Sequence, residues 1–318
     1  MELLRRFRLG DVRALARVVS WVEDQQDGYQ DLLGGLYPRA GRSLRIGITG
    51  PPGAGKSTLV NALTHLYLQA ERKVGIIAVD PTSPFTGGAL LGDRVRMNDF
   101  PSDGSFYFRS MATRGATGGL AASTGNVAVI YDAFGFDVTL IETVGVGQME
   151  LDVVDACDTV VVVVVPESGD AVQTMKAGLM EIADIFCVNK ADRPGADRVV
   201  LELEQAIDAR RRGDRSDDVV VLATEAVNGK NIESLIAAIE KHVASARSDG
   251  RFISHRRSQT EKRLKALLEE HVNRQLLLRL RQVADLDQIV SDICEGRSDP
   301  YTASRQLLRH PAMKLSDL

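Results

Sequence analysis

The sequence LRIGITGPPGAGKSTL, residues 44–59, decides the fold of this chain. It begins as an apolar strand, continues as a glycine-rich turn and ends as the start of a helix. Gly50, Gly55, Lys56 and Ser57 match a phosphate-binding loop, in which four residues separate two glycines and a lysine and a hydroxyl follow. Such a loop curls its backbone N–H groups around a phosphate, and the helix N-terminus directs its dipole at the same anion. The stretch therefore predicts a nucleotide phosphate site.

The loop residues have separate expected tasks. Lys56 can reach the β- and γ-phosphates and is a candidate catalytic residue, and the Ser57 hydroxyl can ligate Mg²⁺. An ordinary glycine-rich turn before a helix is the alternative interpretation, but the strand and the helix that the motif requires are both present. We expect the nucleotide to contact Gly53, Ala54, Gly55, Lys56, Ser57 and Thr58.

Strand and helix patterns alternate from residue 44 to about residue 245. Several strands are nearly continuous runs of Val, Ile and Leu, which is typical of buried parallel strands. The pattern predicts an α/β fold with a doubly wound, mainly parallel sheet and ligand loops at the carboxyl ends of the strands. Candidate strands cover 44–49, 74–79, 105–109, 137–142, 159–165, 184–189 and 218–223. Candidate helices cover 57–70, 120–134, 171–182, 194–212 and 231–247.

Helical extensions are predicted on both sides of this region. The apolar spacing over residues 11–36 predicts a helix that begins at an Asp11 N-cap and packs on the core. After about residue 250 the strands stop, and residues 256–283 form a long basic helix. We therefore expect an N-terminal helical arm over 1–42, a nucleotide domain over 43–248 and a C-terminal helical arm over 249–318.

Composition excludes several classes of protein. The net charge of −4 over 318 residues argues against a general nucleic-acid binder. No apolar run reaches the length of a membrane span, and the N-terminus lacks the apolar region of a signal peptide. The five histidines form no close cluster with cysteine, so no zinc or nickel site is indicated. The cysteines at 157, 187 and 294 are far apart, which favours a reduced cytoplasmic protein.

Asn189, Lys190 and Asp192 follow the apolar strand at 185–188 as Asn-Lys-x-Asp, which resembles the guanine-recognition motif of GTPases. The Asp192 carboxylate can accept hydrogen bonds from N1–H and the 2-amino group of guanine, a donor pair that adenine lacks. The Lys190 stem can lie over the base, and Asn189 can tie this loop to the phosphate loop. A solvated turn is the alternative for four residues alone. The position after a core strand, downstream of a phosphate loop, favours guanine.

A second base-contacting loop is expected after the last strand. Thr224, Glu225 and Ala226 stand where GTPases place such a loop, although the usual sequence there is Ser-Ala. We therefore include all three residues among those expected to contact the nucleotide.

Three carboxylates are candidates for the metal site. Glu142 ends an apolar strand, and Gly145 after it could offer its N–H to the γ-phosphate in a switch segment. Asp80 ends the strand after the phosphate-loop helix, and Asp93 follows a glycine-rich stretch. Asp80 and Asp93 could ligate Mg²⁺ or position the attacking water, or they could cap a turn and a helix. We expect Asp93 and Glu142 to take part in catalysis.

Five sequence blocks together resemble the MeaB/ArgK family, GTPase chaperones of adenosylcobalamin-dependent acyl-CoA mutases such as methylmalonyl-CoA mutase. This family is grouped with metallochaperone-like GTPases that include nickel-insertion proteins. The resemblance covers nearly the whole chain and is more specific than the phosphate loop alone. The blocks are DPTSPFTGGALLGDRVRM, SMATRGATGGL, ETVGVGQ, PESGDAVQTMKAGLMEIAD and NKAD.

The resemblance implies GTP or GDP with Mg²⁺ as cofactors and a mutase as the partner. It implies that Asp170 and Lys176 form a further switch that senses the mutase, whereas physical chemistry alone gives Asp170 a helix cap. Arg109 and Arg114 could meet phosphate or a partner, although a surface arginine is the default. The alternative functions are a nickel or cobalt metallochaperone, a small-molecule kinase and a non-catalytic interaction protein.

A homodimer is expected from the C-terminal arm. Its long helix has leucines on more faces than one packing surface can cover, for example Leu264, Leu268 and Leu277. Pairing of two arms would remove this apolar surface from water, and twofold dimers are the commonest oligomers. The arm could instead fold back on its own nucleotide domain.

Overall fold

The computed structural model describes residues 2–80, 100–101, 103–112, 119–143, 154–166, 178–211 and 219–309. The chain divides into two compact units, Met1–His255 and Arg256–Leu318.

A sheet of seven parallel strands forms the centre of the first unit, in the order β3-β2-β4-β1-β5-β6-β7. The strands are β1 Leu44–Thr49, β2 Val74–Asp80, β3 Phe106–Ala112, β4 Val138–Glu142, β5 Thr159–Val164, β6 Ile185–Val188 and β7 Val220–Ala223. All seven predicted strands are present, and the doubly wound prediction is confirmed. Because β1 lies between β4 and β5, the loops that follow these three strands meet at one edge of the sheet.

Helices cover both faces of the sheet, each over its own apolar cluster. One cluster contains the N-terminal helices and the helices over 119–134 and 196–211, and the other contains the helices over 56–69 and 232–248. The strands between them are buried on both sides, as the six buried residues of β5 show. The helices of this unit are α1 Glu2–Arg8, α2 Val12–Glu23, α3 Tyr29–Leu36, α4 Lys56–Gln69, α5 Gly119–Phe134, α6 Leu179–Ile182, α7 Ala196–Arg211 and α8 Ile232–Ser248.

The N-terminal arm packs on the core as expected, but its helix prediction was wrong in one respect. The single helix over 11–36 is two helices, because the chain leaves the helical conformation at Gln25, where φ is +48°. The predicted N-cap is present, since the Asp11 carboxylate accepts from the N–H groups of Arg13 and Ala14.

Asp132 on α5 fastens the segment that connects this arm to β1. Its buried carboxylate accepts hydrogen bonds from the backbone N–H groups of Gly41, Arg42 and Ser43, at 2.5, 3.0 and 3.0 Å. The Arg45 guanidinium lies 3.7 Å from the same carboxylate. A buried charge is tolerated here because several donors surround it.

The second unit is helical. Helix α9, Arg251–Val283, begins in the first unit and continues into the second, followed by α10 Leu286–Cys294 and α11 Pro300–Leu308. Several large apolar side chains of this unit are exposed, namely Leu264, Leu268, Val272, Leu277, Leu278 and Val290.

Candidate functional site

The glycine-rich loop lies between β1 and α4, and two of its glycines have no room for a side chain. A Cβ at Gly50, where φ is +140°, would lie 2.0 Å from the carbonyl oxygen of Val163. A Cβ at Gly55, where φ is +87°, would lie 2.4 Å from Nδ2 of Asn189. Gly55 supplies no side-chain cap to α4, so the first N–H groups of the helix face the loop, where an anion is stabilised.

Lys56 lies across this loop. Its side chain is buried, and its Nζ donates to the carbonyl oxygens of Gly50 at 2.8 Å and Pro51 at 3.0 Å. A phosphate held by the loop would meet this ammonium group directly, because the lysine is already folded over the loop. The structure therefore places the Lys56 ammonium group within the glycine-rich loop, and its phosphate contact stays a prediction.

Ser57 and Glu142 form a pair of oxygen donors beside the loop. The Ser57 hydroxyl donates to Oε1 of Glu142 at 2.6 Å, and the carboxylate is nearly buried. The pair forms because Ile48 of β1 is in register with Glu142 at the end of β4. A hydroxyl and a carboxylate are the hard oxygen ligands that Mg²⁺ prefers, so these residues fit the ion.

The other expected metal and switch residues are only partly described. The backbone of Asp80 ends β2 beside the end of β4, and its side chain lies outside the described part of the chain. Within the described ranges, no three His, Cys, Asp or Glu side chains are grouped as a metal site. The residues that lie outside the described ranges altogether are Asp93, Arg114, Gly145, Asp170 and Lys176.

Asn189 joins three loops. Its Nδ2 donates to the carbonyl oxygen of Ala54 in the phosphate loop at 2.9 Å. Its Oδ1 accepts from the Ala226 N–H at 3.0 Å and from the Thr224 hydroxyl at 3.3 Å. The side chain is buried, so these bonds are shielded from water. The expected tie between the Asn189 loop and the phosphate loop is therefore present.

The base side of the site is more open. Asp192 is exposed, and Lys190 adopts a φ of +57°, which turns the chain sharply after β6. The Ala191 N–H donates to the Thr224 carbonyl oxygen at 3.0 Å, which holds the loops after β6 and β7 together. The Thr224 hydroxyl also lies 3.1 Å from the Cys187 sulfur, and burial raises the pKa of that thiol to about 12.

The Glu225 carboxylate, which was expected to contact the base, is bonded to side chains of its own loop. Its two carboxylate oxygens accept from Lys230 Nζ at 2.7 Å and from Asn228 Nδ2 at 3.0 Å. Sequence reasoning missed Lys230, because only the turn that follows β7 brings it back to Glu225.

Arg109 is held by the N-terminal arm. The guanidinium of this β3 residue donates from Nε to Oε2 of Glu23 on α2 at 2.9 Å, in a half-buried ion pair. The sequence left open a phosphate, a partner protein or an ordinary surface position for Arg109, and the structure instead shows an ion pair with Glu23 of the same chain.

A cavity of about 800 Å³ lies at the opposite, amino ends of β5, β6 and β7. Polar groups that line it hold the starts of the strands. Asp184 accepts from the Val160 N–H at 2.8 Å, His242 lies 3.5 Å from Asp184, and His255 Nε2 lies 3.0 Å from the Cys157 carbonyl oxygen. Asp184, His242 and His255 therefore have structural contacts within the chain, and their positions need no bound nucleotide to explain them.

Comparison with known proteins agrees with this geometry. The model of a family described as methylmalonyl Co-A mutase-associated GTPase MeaB matches residues 13–279. The chain belongs to the MeaB family. The resemblance that the sequence motifs indicated is thereby confirmed.

Two relatives and one solved structure cover nearly the whole of this MeaB family chain. A GTPase of Pyrococcus abyssi is 43% identical over 313 residues, which are 97% of this chain and 95% of the relative. GTPase ArgK of Escherichia coli is 33% identical over 313 residues, 96% of this chain and 95% of its own. The crystal structure of LAO/AO transport system kinase superposes with a TM-score of 0.69 at 28% identity, covering 96% and 95% of the two chains.

Family membership also indicates the ligand. The relatives of this MeaB family member are named GTPases, so membership implies that it binds GTP or GDP.

In the part of the chain that the structure describes, no helix combines the length and the apolar composition needed to cross a membrane.

Proposed function

We propose that this protein is a GTP-hydrolysing chaperone of an adenosylcobalamin-dependent acyl-CoA mutase, with methylmalonyl-CoA mutase or a relative as its partner. The observation that supports it most is the Asn189 side chain, which joins the guanine-type loop to the phosphate loop. The family description supplies the association with the mutase.

The phosphate side of the site binds the triphosphate through charge and backbone donors. Loop residues Gly53, Ala54 and Gly55 present N–H groups, and Lys56 exchanges its carbonyl partners for phosphate oxygens. Little covalent help is needed for phosphoryl transfer, because these donors stabilise the charge that spreads over the transferred group. Thr58 completes the contacts at the start of the helix.

Ser57 and Glu142 hold Mg²⁺ in this proposal, with Asp80 and Asp93 as further oxygen ligands. When bound, the ion neutralises charge between the β- and γ-phosphates. The Ser57 hydroxyl, which donates to Glu142 in the structure, and the Glu142 carboxylate would both be oxygen ligands of the ion. Asp93 or Glu142 orients the attacking water. The Gly145 N–H donates a hydrogen bond to the γ-phosphate.

Guanine is selected by the loops after β6 and β7. Asp192 accepts from the base, Lys190 lies along its face, and Asn189 fixes the loop relative to the phosphates. Thr224, Glu225 and Ala226 border the base on its other side. Asp170 and Lys176 transmit the nucleotide state to the mutase.

We further propose a cytoplasmic homodimer built by the C-terminal unit. Its exposed apolar side chains, Leu264, Leu268 and Leu277 among them, supply a surface that a second copy would cover. Within the described part of the chain, Cys157, Cys187 and Cys294 form no disulfide bond, which fits a reducing compartment.

Affinity capture from the source cell tests the proposed function. The full-length protein is loaded with GDP or with a non-hydrolysable GTP analogue, and the bound proteins are identified by mass spectrometry. An acyl-CoA mutase enriched in one nucleotide state supports the proposal. Absence of any cobalamin-dependent mutase from both samples, with nucleotide occupancy verified, would contradict it.

A small-molecule kinase is the competing function, since the similar solved structure is named as a kinase. The same preparation distinguishes the two. A kinase would transfer phosphate from ATP to an added amine substrate, whereas the proposed chaperone releases phosphate from GTP and leaves ATP intact.

A further inference from the structure

A charged pair closes the loop that follows β7. The backbones of Glu225 and Lys230 exchange two hydrogen bonds, at 3.1 and 3.2 Å, and form an isolated antiparallel bridge. Their side chains meet at 2.7 Å, and Asn228 donates to the second carboxylate oxygen at 3.0 Å. We call residues 225–230 with this ion pair the base-loop latch.

The latch lies directly beside the guanine-type contacts. Ala226 follows Glu225 in the chain, so the bridge fixes the peptide N–H that donates to Asn189. At the other end, the Asn231 Nδ2 donates to the Ala223 carbonyl oxygen at 2.9 Å and closes the turn on β7. The tip of this loop, residues 227–230, is exposed, so packing against the core does not hold it. The position of the Ala226 N–H therefore depends on the latch.

Charge explains why the loop needs a lysine here. The hydrogen bonds from Lys230 and then Asn228 lower the pKa of Glu225. The pKa of Lys230 is raised, first by its hydrogen bond to Glu225 and also by the negative charge of Asp192. Lys230 therefore neutralises the Glu225 carboxylate, and without it the loop would carry an uncompensated negative charge.

We propose that Glu225 and Lys230 are positioning residues for the guanine base. The latch holds Ala226 against Asn189 and neutralises the Glu225 carboxylate, so it sets nucleotide affinity without touching the transferred phosphate. This inference rests on the proposed assignment of Asn189 and Asp192 to guanine.

Lys230→Met tests the latch, with Lys230→Arg as the conservative variant that keeps the charge. We expect Lys230→Met to weaken GDP binding by about threefold to fivefold, the range for one partly exposed pair. KM for GTP rises by a similar factor, while kcat at saturation stays within about twofold because the phosphate contacts remain. Lys230→Arg should recover most of the lost affinity.

Lys265→Met is the matched control, because it removes a lysine from the exposed Glu261–Lys265 pair at 3.0 Å. It should leave GDP affinity unchanged. A double variant with the two charges exchanged, Glu225→Lys with Lys230→Glu, should bind GDP more tightly than the Glu225→Lys single variant. The double variant restores an ion pair, so the two changes should be coupled in a double-mutant cycle.

The outcomes separate the latch from the proposed function. Wild-type protein that binds ADP as tightly as GDP overturns the guanine assignment. Guanine-selective wild-type protein with an unaltered Lys230→Met variant overturns the latch alone. Equal losses of GDP affinity in Lys230→Met and Lys230→Arg would also overturn it, because the charge would then not matter.

Discussion

Asp192 is the residue through which the proposed site distinguishes guanine from adenine. Asp192→Asn replaces an acceptor by an amide that faces the N1–H and 2-amino donors of guanine. We expect GTP and GDP affinity to fall by about 1–3 kcal/mol, the cost of one or two mispaired hydrogen bonds. Xanthosine diphosphate should bind the variant more tightly than wild type, because its 2-oxo group accepts from the amide. Competition against a fluorescent GDP measures both changes, and an unaltered GDP affinity would remove the assignment.

Lys56 is the residue on which hydrolysis should depend most. Lys56→Ala removes the ammonium group that now bonds to the Gly50 and Pro51 carbonyl oxygens and would meet the phosphates. We expect phosphate release to fall by at least about 100-fold, the loss typical of one preorganised electrostatic donor. Circular dichroism should show an intact fold, because the lysine lies over the loop rather than within the sheet. Near-normal turnover by a folded variant contradicts the phosphate-loop role.

The residue scale also shows where prediction from sequence succeeds. The contact of Asn189 with the phosphate loop could be predicted because its motif follows a core strand, β6, which only β5 separates from β1. Two contacts could not be predicted. The resting position of Lys56 depends on the exact path of the loop carbonyls, and the pairing of Lys230 with Glu225 depends on a turn with no sequence motif.

At the scale of elements, the sheet was predictable because its strands are apolar runs buried on both faces. Both ends of β1 agree with the prediction, and the other strand ends differ by at most three residues, as in β3, which was predicted over 105–109 and is Phe106–Ala112. The wrong element is the helix over 11–36. Its apolar spacing continues through the break, whereas Gln25 adopts a left-handed conformation that periodicity does not reveal.

The hydrogen bonds that Asp132 accepts from residues 41–43, called here the Asp132 clamp, yield a prediction about stability. Asp132→Asn keeps one acceptor oxygen and replaces the other by an NH2 group, which faces at least one of the N–H groups of residues 41–43 and cannot accept from it. We expect a loss of about 2–4 kcal/mol in unfolding free energy, since a buried hydrogen-bonded charge is removed from its donors. Denaturant titration measures it.

Asp137→Asn is the control for this prediction. Asp137 is exposed and accepts one backbone hydrogen bond, from Lys73 at 2.8 Å. The Asp137→Asn variant should lose much less unfolding free energy than the Asp132→Asn variant. Equal losses in the two variants would show that the clamp adds nothing to the stability of the arm.

At the scale of the whole molecule, the C-terminal unit determines the oligomeric state in our proposal. Light scattering of the full-length protein should give about twice 34.6 kDa. Leu264→Glu with Leu268→Glu places two charges in the exposed apolar face and should give the monomer mass, because burying those charges is unfavourable. Leu201→Glu on α7 is the control, since Leu201 is equally exposed and should not affect the dimer. A wild-type monomer at micromolar concentration would contradict the proposal.

Phosphate release measured during titration with purified methylmalonyl-CoA mutase tests the proposed function most directly. With GTP, the rate should rise severalfold and reach a plateau at a fixed molar ratio of mutase to this protein, because the partner acts on the switch segments within a specific complex. With ATP, the rate should stay at background whether or not the mutase is present. A GTP rate that does not change with the mutase, together with equal turnover of ATP, would contradict the proposed function.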